Sequence, residues 1–421
     1  MNKFSKYRLL IAVILLAIIL VFRDFLDVDF NQIFILGVIG CVCLLLPYDE
    51  LFYFTSFVVP ISCGINGYSI TLLLIFLLFK SKRRTLQQFI PIIILIIIEL
   101  LHPSVYFFPL SNEVLYFSNI SLFFFCSNDI NELDSRNVVK YFVFGAALCC
   151  LLILGRTYLV TGSFASIFLD SARTGVTMGN DLIVDNETHM ALNANALAYI
   201  SLLGFSCLLI GRKILSISLR LYIPLLLILI LGGIITLGRA WVIVTVVILI
   251  LYLFNLNIKQ KFLFIVLTFA LVLVISCTDF ISSLFMVISG GFADRFTSSD
   301  LAEAGGRIAL WNNYIQIWTS DISYILIGTS APNYRLLFPN INSIHNLTQQ
   351  IFVCTGMIGL IVYFLFSLNL LIKSIRKRTK FILYLPLIAA VIYLQSISVL
   401  ANWILILPLF PCIHALRLNL E

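Results

Sequence analysis

Long apolar runs recur along this chain of 421 residues and restrict it to very few folds. Most are about 14 to 24 residues long, and a helix of about 20 apolar residues crosses a membrane core of about 30 Å. Hydrophobic residues make up 61% of the sequence, charged residues 11%, and the mean hydropathy is +1.08. A membrane barrel would need alternating strands, which unbroken runs such as 92–101 do not show. We therefore predict an all-α, polytopic integral membrane helix bundle.

We expect about 12 to 14 transmembrane helices in a single integral domain, 1–421. Several runs are short for a full crossing, so tilt, bilayer thinning or re-entrant pieces would accommodate them. No small-residue cleavage pattern follows the first run, which we interpret as a retained helix and not as a signal peptide. The predicted spans are 9–22, 32–46, 51–63, 68–79, 89–101, 113–126, 141–161, 191–211, 221–238, 240–256, 262–280, 347–372, 381–396 and 398–416.

Most basic residues form clusters that fall on one side when these spans alternate. Twenty of the 27 lysines and arginines belong to such clusters. Positive charge marks the cytoplasmic side, so both termini are predicted to be cytoplasmic. The net charge of +7 is then a topology signal and does not indicate nucleic-acid binding. The clusters are Lys3/Lys6/Arg8, Lys80/Lys82/Arg83/Arg84, Arg136/Lys140, Arg212/Lys213/Arg220, Lys259/Lys261, Lys373/Arg376/Lys377/Arg378/Lys380 and Arg417.

The seven remaining basic residues are all arginines on the opposite, outer side. A planar guanidinium binds phosphate oxygens bidentately, whereas an ammonium acts as a point charge. An arginine-only outer surface therefore fits a diphosphate ligand. The positive-inside bias explains the scarcity of basic residues there, but only weakly explains why all of them are arginine. The seven are Arg23, Arg156, Arg173, Arg239, Arg295, Arg307 and Arg335, of which Arg295 and Arg335 are candidate substrate-binding residues.

Two outer loops exceed turn length, 162–190 and 281–346. The first is acidic. The second carries apolar and aromatic residues at helical spacing from Ile308 to Trp318, which predicts a short amphipathic helix on the membrane surface with Arg307 in its first turn. Long loops in membrane or globular proteins are usually functional or disordered, so a candidate site is expected beside the longer one.

Arg239 lies where one apolar run ends and the next begins. An ionisable residue at membrane depth is costly and indicates function, although an arginine that reaches the headgroups could simply fix a helix end. Asn193 and Asn195 stand at the outer start of another span, where they would cap the helix or bind sugar hydroxyls. His189 lies on the same side, and His102 and His414 have weaker claims to a role.

His345 and Asn346 lead from the longer loop into an apolar helix. A neutral imidazole can accept a proton from a sugar hydroxyl, while Asn346 could cap the helix or bind sugar. A lone interfacial histidine is also often structural. Gly356 and Gly359, about one helical turn apart, predict close approach of a neighbouring helix.

Several kinds of chemistry lack their motifs in this sequence. There is no phosphate-binding glycine loop, no HExxH and no serine nucleophile elbow. The ten cysteines lie almost wholly within or beside apolar runs, where thiols behave as small hydrophobes. We predict no metal site, no cofactor and no disulfide framework.

Three segments together resemble the O-antigen polymerase and O-antigen ligase superfamily of bacterial inner membranes. They are TLGRAW at 236–241, GGRIALWNNYIQIW at 305–318 and HN-x9-GxxG at 345–359, with weaker support from Asn193 and Asn195. The resemblance covers about 185–372, and the first third of the chain matches only as apolar helices.

The resemblance implies a glycosyltransferase of lipopolysaccharide biosynthesis that acts at the periplasmic face on oligosaccharide units linked through diphosphate to undecaprenol. Arg239 and Arg307 would stabilise the diphosphate leaving group, and His345 would deprotonate the acceptor hydroxyl for attack that inverts the anomeric carbon. The implied partners are this lipid-linked substrate, membrane lipid and a chain-length regulator protein. The polymerase is favoured, and the ligase that transfers polymer to lipid A-core is the alternative. A lipid-linked oligosaccharide flippase or other transporter is a third hypothesis.

Overall fold

The computed structural model is helical throughout the residues it describes, which confirms the all-α prediction, and those residues contain no strand. Most of the first outer loop, 162–190, and most of the predicted span 262–280 lie outside them. The described residues are 7–28, 30–65, 67–102, 110–129, 131, 133–162, 192–262, 266, 286, 289–290, 307–332, 334, 344–377, 379–397 and 401–418.

The described helices follow the predicted spans closely, and two further helices, Arg307–Thr319 and Ile322–Ile327, lie within the longer loop. Short 3₁₀ segments precede or follow three of the helices: Val59–Gly64, Phe381–Tyr384 and Ala401–Ile406. The α-helices are α1 Arg8–Phe25, α2 Gln32–Leu45, α3 Tyr48–Val58, α4 Tyr68–Lys80, α5 Leu86–Leu100, α6 Leu110–Ser127, α7 Ser135–Thr161, α8 Ala194–Leu209, α9 Leu219–Ile234, α10 Arg239–Asn255, α11 Arg307–Thr319, α12 Ile322–Ile327, α13 Leu347–Arg376, α14 Leu385–Leu394 and α15 Leu409–Ala415.

Two helices of the described chain are long and apolar enough to cross a membrane, Ser135–Leu159 and Leu347–Arg376. Eight shorter apolar helices have 10–17 residues. Fewer described helices than expected are therefore long and apolar enough to cross a membrane. One physical reason is that several apolar runs divide into an α-helix and a 3₁₀ segment, as at Val59–Gly64.

The centre of the bundle is formed by α7 and α8. In α8 every residue except Asn195 is buried, as expected for a helix that is apolar on all sides and is covered by α7, α9 and α14. Small residues allow the helices of the bundle to approach one another closely. A β-carbon added to Gly145 of α7 would lie 2.0 Å from the carbonyl oxygen of Phe57, so α3 and α7 cross at a position where only glycine fits.

Polar groups divide between the two ends of the bundle. Asn193, Arg239 and Asn346 stand at the starts of α8, α10 and α13. Beyond the opposite ends of α8 and α10, Lys213 and two other basic residues line a common cavity. The candidate site and the main basic cluster therefore lie at opposite ends of the same helices.

Candidate functional site

The start of α13 is shaped by His345 and Asn346. The Asn346 side chain accepts a hydrogen bond from the backbone N–H of Gln349 at 3.0 Å and so caps the helix. His345, half-buried, has φ of +49°, a left-handed conformation that is uncommon outside glycine. Of the two roles predicted for Asn346, the structure shows the cap, and sugar binding stays a prediction.

Helix α11 is attached to this start by a tryptophan. The Trp311 indole N–H donates a hydrogen bond of 3.1 Å to the carbonyl oxygen of Ile344, the residue before His345. Arg307 begins the same helix one turn earlier, so the Arg-x3-Trp spacing brings the start of α11 beside the histidine. The side chain of Arg307 is outside the described atoms, as are Arg295 and Arg335 altogether.

Two residues of the aromatic stripe of α11 contact other parts of the protein. Tyr314 is fully buried with an edge contact to Tyr334, and Trp318 contacts Phe352 of α13 with ring centroids 3.7 Å apart. Ile315 is 45% exposed. These two aromatic residues of the stripe therefore pack against protein, and the position of the helix on the membrane surface stays a prediction.

The start of α8 lies at the same end of the bundle. Asn193 caps α8 through a hydrogen bond from the Asn195 backbone N–H at 2.9 Å, so the cap predicted as one alternative is present. The carbonyl oxygen of Asn195 accepts a hydrogen bond from the Tyr393 hydroxyl at 3.1 Å. Tyr393 also stacks on Tyr199, with ring centroids 5.7 Å apart.

The end of α14 connects α8 with α13. Two residues after Tyr393, the Gln395 side-chain oxygen accepts a hydrogen bond from the Thr348 hydroxyl at 2.9 Å. Thr348 lies in the first turn of α13, two residues after Asn346. The predicted polar groups of α8 and α13 are thus linked through one short segment, Tyr393 to Gln395.

Arg239 joins this end of the bundle at the start of α10. Gly238, immediately before it, lies against Ala198 of α8, three residues after Asn195. Farther along α10, the Trp241 indole N–H donates to the Ser201 hydroxyl at 3.2 Å. Leu237 has φ of +44°, a genuine outlier for a bulky side chain, so the turn that presents Arg239, like the one at His345, contains a residue with a positive φ.

Two outer arginines outside this region serve the fold. Arg23 pairs with Asp24 at 3.0 Å and donates to the carbonyl oxygen of Gly64 at 2.8 Å. Arg156 forms an ion pair with Asp27. These contacts account for two of the seven arginines without a ligand. Of the other five, Arg239 is the one whose side chain the structure describes.

The predicted glycines of α13 behave differently from one another. Gly356 breaks the helix with φ 63° and ψ −166°, a conformation essentially restricted to glycine, and an added β-carbon would lie 2.4 Å from backbone atoms of Leu326. The close approach predicted for Gly356 is confirmed. At Gly359 the atoms nearest to an added β-carbon belong to Thr355 of the same helix, at 1.9 Å, so close approach of a neighbouring helix there stays a prediction.

Glu99 is a residue that we did not predict. It is 1% exposed, and its carboxylate accepts hydrogen bonds from the Ser330 hydroxyl and from the Ala331 backbone N–H, the latter at 2.9 Å. The Trp403 indole N–H donates to the carbonyl oxygen of Ala331 at 3.1 Å. A single glutamate within a run of isoleucines was the available signal, since buried carboxylates in apolar helices require partners.

Three residues after Glu99, His102 contacts the same segment. Its ring stacks on Tyr324 with centroids 6.2 Å apart. Burial lowers the pKa of His102 below its usual range, and a hydrogen bond with the Gly328 backbone partly opposes that effect. Burial therefore favours the neutral imidazole. Through these contacts α5 fixes α12 and the turn after it, which lie against α13.

No protein family matches this chain, and no curated protein is significantly similar to it. Within the described residues, no group of three or more His, Cys, Asp or Glu side chains is arranged to hold a metal ion.

Proposed function

We propose that the chain is a polytopic membrane protein. Apolar side chains cover the outside of α9 and α10, where water would be an unfavourable neighbour. In α10 only Trp241, Val244 and Ile248 are buried. Side chains that are 48–53% exposed include Leu227, Leu231, Ile243, Val246 and Ile250. A bilayer would cover such a surface, and tilt or local thinning would accommodate helices shorter than the hydrocarbon core.

We propose that the end of the bundle with Lys213 is cytoplasmic and that Arg239 and His345 lie on the periplasmic side of a bacterial inner membrane. The support is the convergence of Arg136, Lys213 and Lys380 on one cavity at that end, since the positive-inside rule associates clustered basic residues with the cytoplasmic side. Both termini would then be cytoplasmic.

On this basis we propose an O-antigen polymerase that joins undecaprenyl-diphosphate-linked oligosaccharide units. The observation that carries the proposal is the hydrogen bond from Trp311 to Ile344, because it brings the helix begun by Arg307 next to His345. The link from α8 to α13 through Tyr393 and Gln395 adds the second group of polar residues at the same end.

The proposed reaction is an inverting glycosyl transfer. The acceptor hydroxyl oxygen attacks the anomeric carbon, the bond from that carbon to the diphosphate oxygen breaks, and the hydroxyl proton passes to His345. Arg239 and Arg307 would stabilise the negative charge on the departing diphosphate. Asn193, Asn195, Asn346, Arg295 and Arg335 are the proposed substrate-binding residues, and membrane lipid and a chain-length regulator remain proposed partners.

A deletion strain tests this function. Lipid A-core carrying a single repeat unit is expected for a polymerase, whereas long polymer left on undecaprenol would indicate the ligase instead. Complementation with Arg239→Ala, Arg307→Ala or His345→Ala should fail at normal expression. Two arginine-to-lysine variants refine the test. Arg307→Lys should impair bidentate phosphate contact. Arg156→Lys, which keeps the ion pair with Asp27, should complement the deletion. Full-length ladders from all three alanine variants would refute the catalytic assignment.

The break at Gly356 favours a second candidate, transport of a lipid-linked oligosaccharide, since transporters often use discontinuous helices. At this break, however, the freed carbonyl oxygen of Val353 already accepts hydrogen bonds from the Thr329 N–H at 2.9 Å and its hydroxyl at 3.1 Å. In a site for an ion or substrate, such a carbonyl oxygen would be available to bind the ligand. Accumulation of repeat units on the cytoplasmic leaflet in the deletion strain would support transport instead.

A further inference from the structure

A cavity of about 850 Å³ opens at the end of the bundle opposite Arg239 and His345. Three cationic side chains from separate parts of the chain line it: Arg136 in the first turn of α7, Lys213 in the turn after α8 and Lys380 before α14. No carboxylate occurs among the described lining residues. The arrangement fits an anion with more than one acceptor oxygen.

The remaining lining identifies the kind of anion. Apolar side chains of Leu209, Ile214 and Ile382 form part of the same wall. Arg136 is oriented by a hydrogen bond to the Ser216 hydroxyl at 3.3 Å. A free phosphate would contact only the cationic groups. A phospholipid would contact both parts of the lining, with its phosphate on the cationic groups and its acyl chains on the apolar wall.

We propose that this cavity binds the phosphate headgroup of an anionic phospholipid from the cytoplasmic leaflet. Basic pockets between helices at this level of a membrane protein are suited to such headgroups, and we expect each lysine or arginine that lines the cavity to contribute about fivefold to the affinity. The proposal rests on the membrane placement proposed above and is independent of glycosyl transfer.

The test uses the purified full chain in neutral detergent, with phosphatidylglycerol as the probe and bound lipid counted by native mass spectrometry. The double variant Lys213→Gln/Lys380→Gln should bind about 25-fold more weakly, from about fivefold for each cation removed. A charge-matched control, Arg212→Gln/Lys259→Gln, changes two basic residues of the same end that do not line the cavity, and its affinity should change less than twofold. Melting temperatures of both variants verify that each is folded.

Three results would overturn the proposal. Equal weakening in both double variants would show general surface electrostatics. Equal binding of phosphatidylcholine would show that the negative headgroup is irrelevant. Displacement of phosphatidylglycerol by an equal concentration of inorganic phosphate would identify a soluble anion as the occupant. Because binding is measured without enzyme activity, none of these results depends on the polymerase proposal.

Discussion

Trp311 holds the residue next to His345 by a single hydrogen bond, 3.1 Å from its indole nitrogen to the carbonyl oxygen of Ile344. This contact joins a helix of the long loop to the start of α13 across 33 residues of chain. It also gives the Arg-x3-Trp spacing a physical meaning, since the tryptophan fixes the position of the helix that the arginine begins.

Trp311→Phe should lower polymer formation about fivefold. The change keeps an aromatic ring but removes the hydrogen bond, a loss of about 1 kcal/mol in positioning His345. Trp318→Phe is a matched control on the same helix, because the Trp318 indole nitrogen has no hydrogen-bond partner among the described residues. Ladder length and intensity on lipopolysaccharide measure the effect. Equal activities for the two variants would remove the positioning role of Trp311.

Gly356→Ala should destabilise the protein by about 3 to 5 kcal/mol. The substitution combines a backbone conformation closed to side chains with a collision against Leu326. Gly37→Ala in α2 is the control, since an added β-carbon there meets nothing within 4 Å and alanine should raise stability by about 0.5 to 1 kcal/mol. Thermal unfolding of the detergent-solubilised proteins measures both. A wild-type melting temperature for Gly356→Ala would contradict the helix break.

Glu99→Ala should cost about 2 to 4 kcal/mol, because the Ser330 hydroxyl and the Ala331 N–H would lose their buried acceptor. Glu99→Gln keeps one acceptor oxygen and should fall between alanine and wild type. Glu50→Gln weakens only a partly exposed ion pair with Arg8 at 3.6 Å and should change stability by about 0.5 kcal/mol or less. Unfolding curves of the three variants give the order of their stabilities. A Glu99→Ala variant as stable as wild type would exclude a role for this carboxylate in holding the loop.

Stability should fall as the pH drops below about 6.5, partly through His102. Burial lowers the pKa of His102 in the folded protein, so the unfolded chain binds the extra proton first. Its contribution is therefore complete above the unfolded pKa and is lost as the pH falls through the lower, folded pKa. His102→Phe, which retains a ring on Tyr324, should flatten the decline in melting temperature between pH 7.5 and 5. An unchanged slope would show that His102 does not titrate in this range.

The sequence predicted helices and their ends well because apolar runs and caps are local signals. Asn193 and Asn346 occupy the cap positions expected of asparagines before apolar runs. The helix over Arg307 to Thr319 was likewise predictable from periodic aromatic residues.

Contacts between distant segments could not be predicted in the same way. Nothing local indicates that Tyr393 would reach Asn195, 198 residues earlier, or that Trp318 would pack on Phe352 of α13. Glu99 was missed for the same reason, since its partners lie 231 and 232 residues away.

The most direct test of the account is thiol labelling from each side of the membrane. Asn193→Cys, Thr348→Cys and Ser216→Cys would be made singly in a background with three cysteines replaced by serine. These are Cys41, the one exposed cysteine among those described, Cys63, whose side chain is not described, and Cys277, which lies outside the described residues. With an impermeant maleimide, we expect residues 193 and 348 to react in spheroplasts and residue 216 to react only in inverted vesicles. Labelling of 193 and 348 from opposite sides, or of both from the cytoplasmic side, would contradict a single outward-facing site.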